Sequence, residues 1–199
     1  MSEPTTQRGR DTKRRIIAAA AELMYQRGVS ATSVEDVLDA SETGKGQFYH
    51  YFSSKEDLVA EILDYQLNQI LEEQNSFPSD SWAGIRSWFD ALVSRHEAER
   101  GFHGCPLGSI ASQVLGQSDP LRLLAAEAFT RWESSMTQWL SVIQAGGLLR
   151  QDADPAVLAQ ATIAIVQGGY LLSATKRDAA PMRNALAAGF SHLTSFAAT

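Results

Sequence analysis

The sequence predicts an all-α fold of about nine helices, and three observations support this. Apolar residues recur every three or four positions along most of the 199 residues, which is the spacing of one face of an α-helix. No segment alternates apolar and polar residues between hairpin turns, so strands are not expected. Proline follows an acidic residue at Pro120 and Pro155, an order that marks helix starts, and Pro106 and Pro181 are expected to act similarly.

The first helices can be placed from these signals. A helix is predicted over residues 12–27, because its apolar residues share one face and Gly28 is a natural residue after a helix end. Two short helices are predicted between residues 32 and 52. The next helix is expected to begin near Lys55.

Turn residues divide the rest of the chain. Residues 76–81, with the sequence SFPSDS, form a turn between two helices. Asp119 and Asp154 are the expected N-caps of two later helices. The helix that follows Asp119 is expected to stop at 146–147, where two glycines are adjacent.

Charge and cysteine content narrow the classes of function. The chain has a formal net charge of -6, yet residues 1–15 hold five basic residues against two acidic ones. A basic and flexible arm is expected over residues 1–10, which indicates an anionic partner at that end. Cys105 is the sole cysteine, so no disulfide can form within the chain, and a reducing cytoplasm is expected. The N-terminus has no apolar signal core, and no 18-residue apolar run was found, so no membrane segment is expected.

The segment between residues 32 and 52 predicts a helix-turn-helix unit. Thr32-x-x-Glu35 and Ser33-x-x-Asp36 are overlapping candidates for a capping box at the first short helix. The second short helix carries Phe48 and Phe52, which are four residues apart and therefore face the same core. Two short helices joined by a tight turn and packed on a longer helix form this unit.

The same spacing turns the polar residues of the second short helix away from the core. Lys45 can meet a phosphate or a guanine edge, and Gln47 can bind an adenine edge through two hydrogen bonds. Tyr49 and His50 can reach phosphate oxygens, and Lys55 lies within reach of the same backbone. From charge and spacing alone, a solvated polar face is an equal alternative.

The segment TSVEDVLDASETGKGQFYHYFSSKEDLVAEIL, residues 32–63, resembles the DNA-binding domain of the TetR family of transcriptional regulators. The resemblance covers roughly residues 10–62 and is most specific in the run from Lys45 to Leu58. It implies a DNA-binding domain over residues 1–55 and a ligand-binding and dimerisation domain over residues 56–199. It also implies a dimeric repressor, released from a palindromic double-stranded operator by a small apolar or electrophilic effector. The DNA contacts that it implies are Thr32 or Ser33, Lys45, Gln47, Tyr49, His50 and Lys55.

The turn before the second short helix departs from the family pattern, which often has Ala-Gly-Val-Ser there. This chain has Ser41, Glu42, Thr43 and Gly44 at those positions. Glutamate disfavours the positive φ that a glycine accepts, so a differently built turn is expected. Glu42 also places a negative charge near the expected DNA.

Two late helices carry stripes of apolar and small residues. Adjacent glycines inside a helix cost about 1 kcal/mol each relative to alanine, and close approach of another backbone would explain them. In the family, the last two helices of each subunit form a four-helix bundle across the dimer axis. The predicted dimer residues are Leu158, Ile165, Gly168, Gly169, Leu172, Leu186, Gly189, Leu193 and Phe196.

The middle helices are rich in aromatic residues, where the family encloses its effector cavity. A plain packed core is the alternative, since tryptophan and methionine stripes are more often core than pocket. The predicted pocket residues are Trp88, Phe102, Cys105, Gln113, Trp132, Met136, Trp139 and Tyr170.

Cys105 precedes Pro106 at a predicted helix start, where unpaired backbone N–H groups lower a thiol pKa. It is either a redox sensor, as in one subgroup of the family, or a small buried residue. A cysteine-dependent enzyme centred on Cys105 and a helical ligand carrier that does not bind DNA are the alternatives to a regulator. No catalytic motif, cofactor or metal site is predicted, because His96, His103 and Cys105 lack a recognised ligand spacing.

Overall fold

The computed structural model describes residues 4–98 and 103–198, and these form nine helices. The predicted all-α fold is confirmed, and pairing of extended backbone in the described ranges is limited to one bridge between Leu149 and Ala197. The helices are α1 Gln7–Arg27, α2 Val34–Ser41, α3 Lys45–Tyr51, α4 Lys55–Gln74, α5 Trp82–Ala98, α6 Pro106–Val114, α7 Asp119–Ala145, α8 Pro155–Lys176 and α9 Ala180–Thr194.

Most predicted helix signals act as expected. Asp154 caps α8, where its carboxylate accepts from the backbone N–H groups of Ala156 at 2.9 Å and Val157 at 3.3 Å. The cap of α7 lies one residue earlier than predicted, because the hydroxyl of Ser118 accepts from the N–H of Leu121 at 3.4 Å.

The first helix is longer than predicted at its N-terminal end. Thr6 caps α1, with its hydroxyl accepting from the N–H of Gly9 at 3.1 Å. The helix therefore begins at Gln7 and takes in residues 7–10 of the predicted flexible arm, of which residues 1–3 lie outside the described part.

The chain forms two compact units. The head unit comprises residues 1–68 and 106–128, and the body unit comprises residues 69–105 and 129–199. The predicted boundary at residue 55 separates a DNA-binding from a ligand-binding domain, and this functional boundary stays a prediction. The packing units do not follow this boundary, because α6 and the first part of α7 belong to the same unit as α1 to α3 and most of α4.

The core of the head unit anchors the two short helices. Ile16 and Met24 on α1 and Phe48 on α3 are fully buried, as is Phe52 just after α3. The rings of Phe48 and Phe52 lie 5.3 Å apart, as their spacing in the sequence predicts. Burial of a large side chain contributes about 1.5–3 kcal/mol, so this pair holds a helix of seven residues that would not form alone.

The core of the body unit is built on tryptophan. Trp88 and Trp139 pack edge to face with ring centroids 6.0 Å apart. The indole N–H of Trp132 donates to the side-chain oxygen of Gln74 at 2.9 Å, and the Gln74 amide donates to Ser135 at 3.1 Å. Every polar atom of the buried Gln74 side chain thus has a partner, which such a site requires.

Helices α8 and α9 pack on each other within one chain, and this corrects part of the predicted dimer interface. Gly169 lies against Met182, because a Cβ at that glycine would be 2.7 Å from the methionine sulfur. Gly189 lies against Ile165 in the same way, at 3.2 Å from its Cγ2. The residues already buried within the chain, and therefore out of a partner's reach, are Leu158, Gly169, Leu186, Gly189 and Leu193.

Helix α8 is also long and apolar enough to cross a membrane by length and composition alone. Its most apolar window has a mean hydropathy of 1.4, which is the composition of a membrane span, and the expectation that the chain has no membrane segment stays a prediction. Of that window, 44% is buried inside the protein. The apolar residues that remain exposed include Val157, Leu171 and Leu172.

Candidate nucleic-acid interface

The first short helix of the head unit begins with a complete capping box. Ser33 caps α2: its hydroxyl accepts from the N–H of Asp36 at 3.1 Å, and the carboxylate of Asp36 accepts from the N–H of Ser33 at 2.7 Å. The hydrogen bonds from Ser33, first from its hydroxyl and then from its N–H, lower the pKa of Asp36. Because the pKa is lowered, the stabilisation from this cap is fully present at pH values above the ordinary pKa of an aspartate. It is lost as the pH falls through the lowered pKa of Asp36.

The overlapping box at Thr32 does not form, and Thr32 is not available to DNA. Its side chain is buried, and its hydroxyl donates to the carbonyl of Gly28 at 2.9 Å. Of the two residues predicted to contact phosphate from this helix, only Ser33 is exposed.

The turn between α2 and α3 has the left-handed conformation, with glutamate in the place of the usual glycine. Glu42 has φ of 51° and ψ of 45°, and the N–H of Thr43 donates to the carbonyl of Leu38 at 3.0 Å. The expectation of a differently built turn was therefore wrong. Arg15 on α1 reinforces the turn, because its Nε–H donates to the carbonyl of Ser41 at 2.8 Å.

The strain at Glu42 gives a stability prediction. A left-handed residue other than glycine costs roughly 1–2 kcal/mol, against roughly 0.5–1 kcal/mol for the greater entropy that glycine loses on folding. We expect Glu42→Gly to raise the free energy of unfolding by about 0.5–1 kcal/mol, measured by urea denaturation. Glu42→Gln, which keeps the strain but removes the charge, serves as the control and should leave stability unchanged. Equal stability of Glu42→Gly and the wild type would contradict the strain.

Helix α3 presents a polar face because Phe48 fixes its rotation. Lys45, Gln47, Tyr49 and His50 are all exposed, and Tyr49 keeps half of its surface accessible. The ring of Tyr49 packs edge to face on Phe48 at 5.2 Å, which restricts its rotation. The structure thus brings together four of the predicted contact residues on one short helix.

Gln47 has a second role in the free protein. Its side-chain oxygen accepts from the N–H of Gly44 at 3.3 Å, which is the half of a capping box that a glycine N-cap allows. Binding to a base edge would exchange this long bond for contacts to the base.

Gly46 lies between Lys45 and Gln47 in the first turn of α3. A Cβ at this position would meet nothing within 4 Å, so no contact within the described chain requires a glycine here. Glycine weakens a helix by about 1 kcal/mol, and at this exposed turn it leaves room for a bound backbone to approach closely. In the sequence, the feature that could have indicated this residue is a glycine in the exposed first turn of α3.

Lys55 lies at the start of α4 and is half-buried. Its charge, with that of Arg27, contributes to the lowered pKa of Asp36, so both cations lie near the start of α2. A groove of about 260 Å³ beside Lys55 is lined by Val59, Val114 and Ser118, among others. The cations on this side of the head unit offset the carboxylates of α2.

The predicted effector residues fall in different parts of the chain. Trp88, Trp132, Met136, Trp139 and Tyr170 are buried in the body unit. Cys105, the last residue before α6, is also buried.

The other two residues predicted to line the effector pocket are not among those buried in the body unit. Gln113 lies in the head unit, and its amide is hydrogen-bonded to Val29 and Ser109. Phe102 lies outside the described residues. A pocket among the buried residues of the body unit stays a prediction.

A metal site finds no support in the described ranges, which contain no cluster of three or more histidine, cysteine or acidic residues able to hold an ion.

Two family models match the chain. Residues 16–62 match the model for bacterial regulatory proteins of the tetR family. Residues 81–188 match the model for the C-terminal domain of transcriptional regulators like LmrA and YxaF.

Curated relatives match over most of their length. A regulator of the helix-turn-helix type from the lacX 3' region of Lactococcus lactis is 32% identical over 85% of this chain and 86% of its own. The transcriptional repressor DhaR of a Mycobacterium species is 24% identical over 91% of each chain. The repressor KstR2 of Rhodococcus jostii is 32% identical over 73% of this chain and 71% of its own.

Solved structures share the fold. A TetR-family regulator from Cytophaga hutchinsonii superposes with a TM-score of 0.81 over 98% of this chain and all of its own, at 20% identity. A TetR regulator from Chloroflexus aurantiacus superposes with a TM-score of 0.80 over 96% and 98% of the two chains, at 23% identity.

Proposed function

This chain belongs to the TetR family of bacterial transcriptional regulators, and on that premise we propose that it is a homodimeric repressor released from a palindromic operator by a small ligand. Its helix-turn-helix unit makes it a DNA-binding regulator, as its relatives are. The observation that carries the proposal is α3: Phe48 is fully buried while Lys45, Gln47, Tyr49 and His50 are exposed.

Each exposed residue has a role that follows from its chemistry. Lys45 and Gln47 lie at the N-terminal end of α3 and contact base edges in the major groove. Tyr49, His50 and Lys55 donate to phosphate oxygens and fix the position of the helix. Ser33, at the N-terminus of α2, meets a phosphate with the help of the helix dipole.

The dimer is formed through the exposed face of α8. The residues Val157, Ala161, Ala164, Gly168, Leu171 and Thr175 are exposed or half-exposed and are spaced alternately four and three residues apart. This is the spacing with which two helices pack along one seam. A Cβ on Gly168 would meet nothing within 4 Å, so no contact within the described chain requires a glycine at this position. A glycine here fits the close approach of a second backbone.

The effector is a small apolar or electrophilic compound that enters among the buried aromatic residues of the body unit. Trp88 and Trp139 supply flat apolar surface, and Tyr170 supplies a hydroxyl. Cys105 is the group that an electrophile would modify. If Cys105→Ser leaves the response to a quinone or an aldehyde unchanged, the electrophilic part of this proposal fails.

The family consists of transcriptional regulators, so a non-enzymatic role is proposed, and the cytoplasm, where the chromosome lies, is the proposed compartment. The test of the whole proposal is selection of bound duplexes from random-sequence DNA with the purified protein. A palindrome should be enriched, and its affinity should fall steeply with salt, since basic residues displace counterions from phosphates. Enrichment of no sequence would overturn the proposal.

A further inference from the structure

The connection between α1 and α2 contains a backbone N–H group whose acceptor comes from α6. The chain turns at Gly28, whose φ is 95°. The Thr32 hydroxyl donates to the Gly28 carbonyl at 2.9 Å, and the Thr32 N–H donates to the Val29 carbonyl at 3.4 Å, so these bonds stay inside the connection. The Val29 N–H instead donates to the side-chain oxygen of Gln113 at 2.7 Å.

The side chain of Gln113 is held in the orientation that this bond needs. Its amide nitrogen donates to the carbonyl of Ser109 one turn earlier, at 2.9 Å, which leaves its oxygen directed at Val29. The fit is close, because a Cβ on Gly28 would lie 3.0 Å from that oxygen. Val29 itself is buried and the bond is part-buried, so without Gln113 its N–H would lose its acceptor within the protein.

The segment that carries Gln113 is joined to the body unit at both of its ends. The chain leaves the body unit after Cys105, packs into the head unit over residues 106–128, and returns to the body unit at Phe129. A second bond ties this segment to the head unit, from the Ser118 hydroxyl to the carboxylate of Glu56, but Glu56 is exposed. The Gln113 bond reaches a buried residue and is therefore the better shielded of the two.

We propose that Gln113 is a positioning residue for operator binding. It does not touch DNA: it holds the segment 106–128 against the point from which α2 starts, and so it fixes the placement of the α2–α3 pair in each subunit. The proposal rests on the proposed function, because it concerns how a dimer presents two helix-turn-helix units to one palindrome.

The test compares Gln113→Leu with Gln117→Leu, a matched change at an exposed residue of the α6–α7 connection. Exchange of the Val29 amide hydrogen is followed by NMR, and affinity is measured for the selected palindrome and for a duplex with one half-site. For Gln113→Leu we expect at least tenfold faster exchange at Val29, about a tenfold loss of affinity for the palindrome, and less than a twofold change for the half-site. Gln117→Leu should match the wild type in all three.

Two results would overturn this inference. Unchanged affinity for the palindrome despite fast exchange at Val29 would show that the bond does not position the head unit. An equal loss on both duplexes would show damage to the helix-turn-helix itself. If Gln113→Leu does not fold by circular dichroism, Gln113→Asn replaces it, because its amide is one methylene shorter and falls short of Val29. A wild-type protein that binds neither duplex overturns the proposed function instead.

Discussion

Replacing Lys45 and Tyr49 together with alanine is expected to reduce operator affinity by at least about a thousandfold. A hydrogen bond to a charged group contributes about 1.5–3 kcal/mol, and a dimer loses each contact twice. Both side chains are exposed on α3, so their removal leaves the core of the head unit intact. Fluorescence anisotropy with a labelled operator duplex measures the loss.

The salt dependence of binding by the same variant tests whether Lys45 contacts base edges, as proposed, or phosphates. Each phosphate contact contributes about 0.9 to the slope of log affinity against log salt, so losing one lysine contact per subunit lowers the slope by about 1.8 if both lysines neutralise phosphates. If Lys45 instead meets base edges, the slope changes less while discrimination between bases falls.

Lys176→Ala is the matched control for the charge, since it removes a lysine on α8, outside the helix-turn-helix. The control should retain the wild-type slope and affinity. Retention of full affinity by the double variant, with a normal dimer, would remove both residues from the interface.

The sequence predicted the parts of the site that depend on local spacing. Phe48 and Phe52 are four residues apart, and this alone determined which side chains of α3 face outward. It could not decide between the two overlapping capping boxes. Thr32 and Ser33 have the same chemistry, and only the position of the Gly28 carbonyl gives the Thr32 hydroxyl a different acceptor.

Contacts between distant segments were beyond the sequence. Gln113 and Val29 are 84 residues apart, so nothing near either residue indicates that they are hydrogen-bonded. The prediction for the turn at Glu42 failed for a different reason. The left-handed conformation of Glu42 follows from the surrounding contacts of Arg15, Ser41 and Thr43, which override the preference of glutamate for negative φ.

The adjacent glycines of α8 show the same limit. The helix is apolar on two faces, so its pattern does not tell which face packs against its own chain. The neighbours decide: Met182 lies against Gly169, while a Cβ at Gly168 would meet no atom of the described residues within 4 Å. The two identical residues therefore have different surroundings, and the proposed role of Gly168 in the dimer can be tested apart from the packing of Gly169.

Gly168→Leu is expected to dissociate the dimer while leaving the subunit folded. Overpacking costs about 1–3 kcal/mol for each inserted side chain, and a two-fold interface inserts two of them, which gives roughly 2–6 kcal/mol. The dissociation constant should therefore rise by at least about thirtyfold. Analytical ultracentrifugation over a range of concentrations measures it.

Operator binding by Gly168→Leu should weaken as its dimer dissociates, because a single subunit contacts one half-site. Gly169→Ala is the matched control: its new methyl group meets Met182 inside the chain, so the expected effect is on the stability of the subunit. Thermal melts should separate the two variants, because the melting temperature of a dimer depends on its concentration and that of a monomer does not. A Gly168→Leu protein that remained dimeric at every concentration would move the interface away from this face of α8, since its backbones could not then approach closely at residue 168.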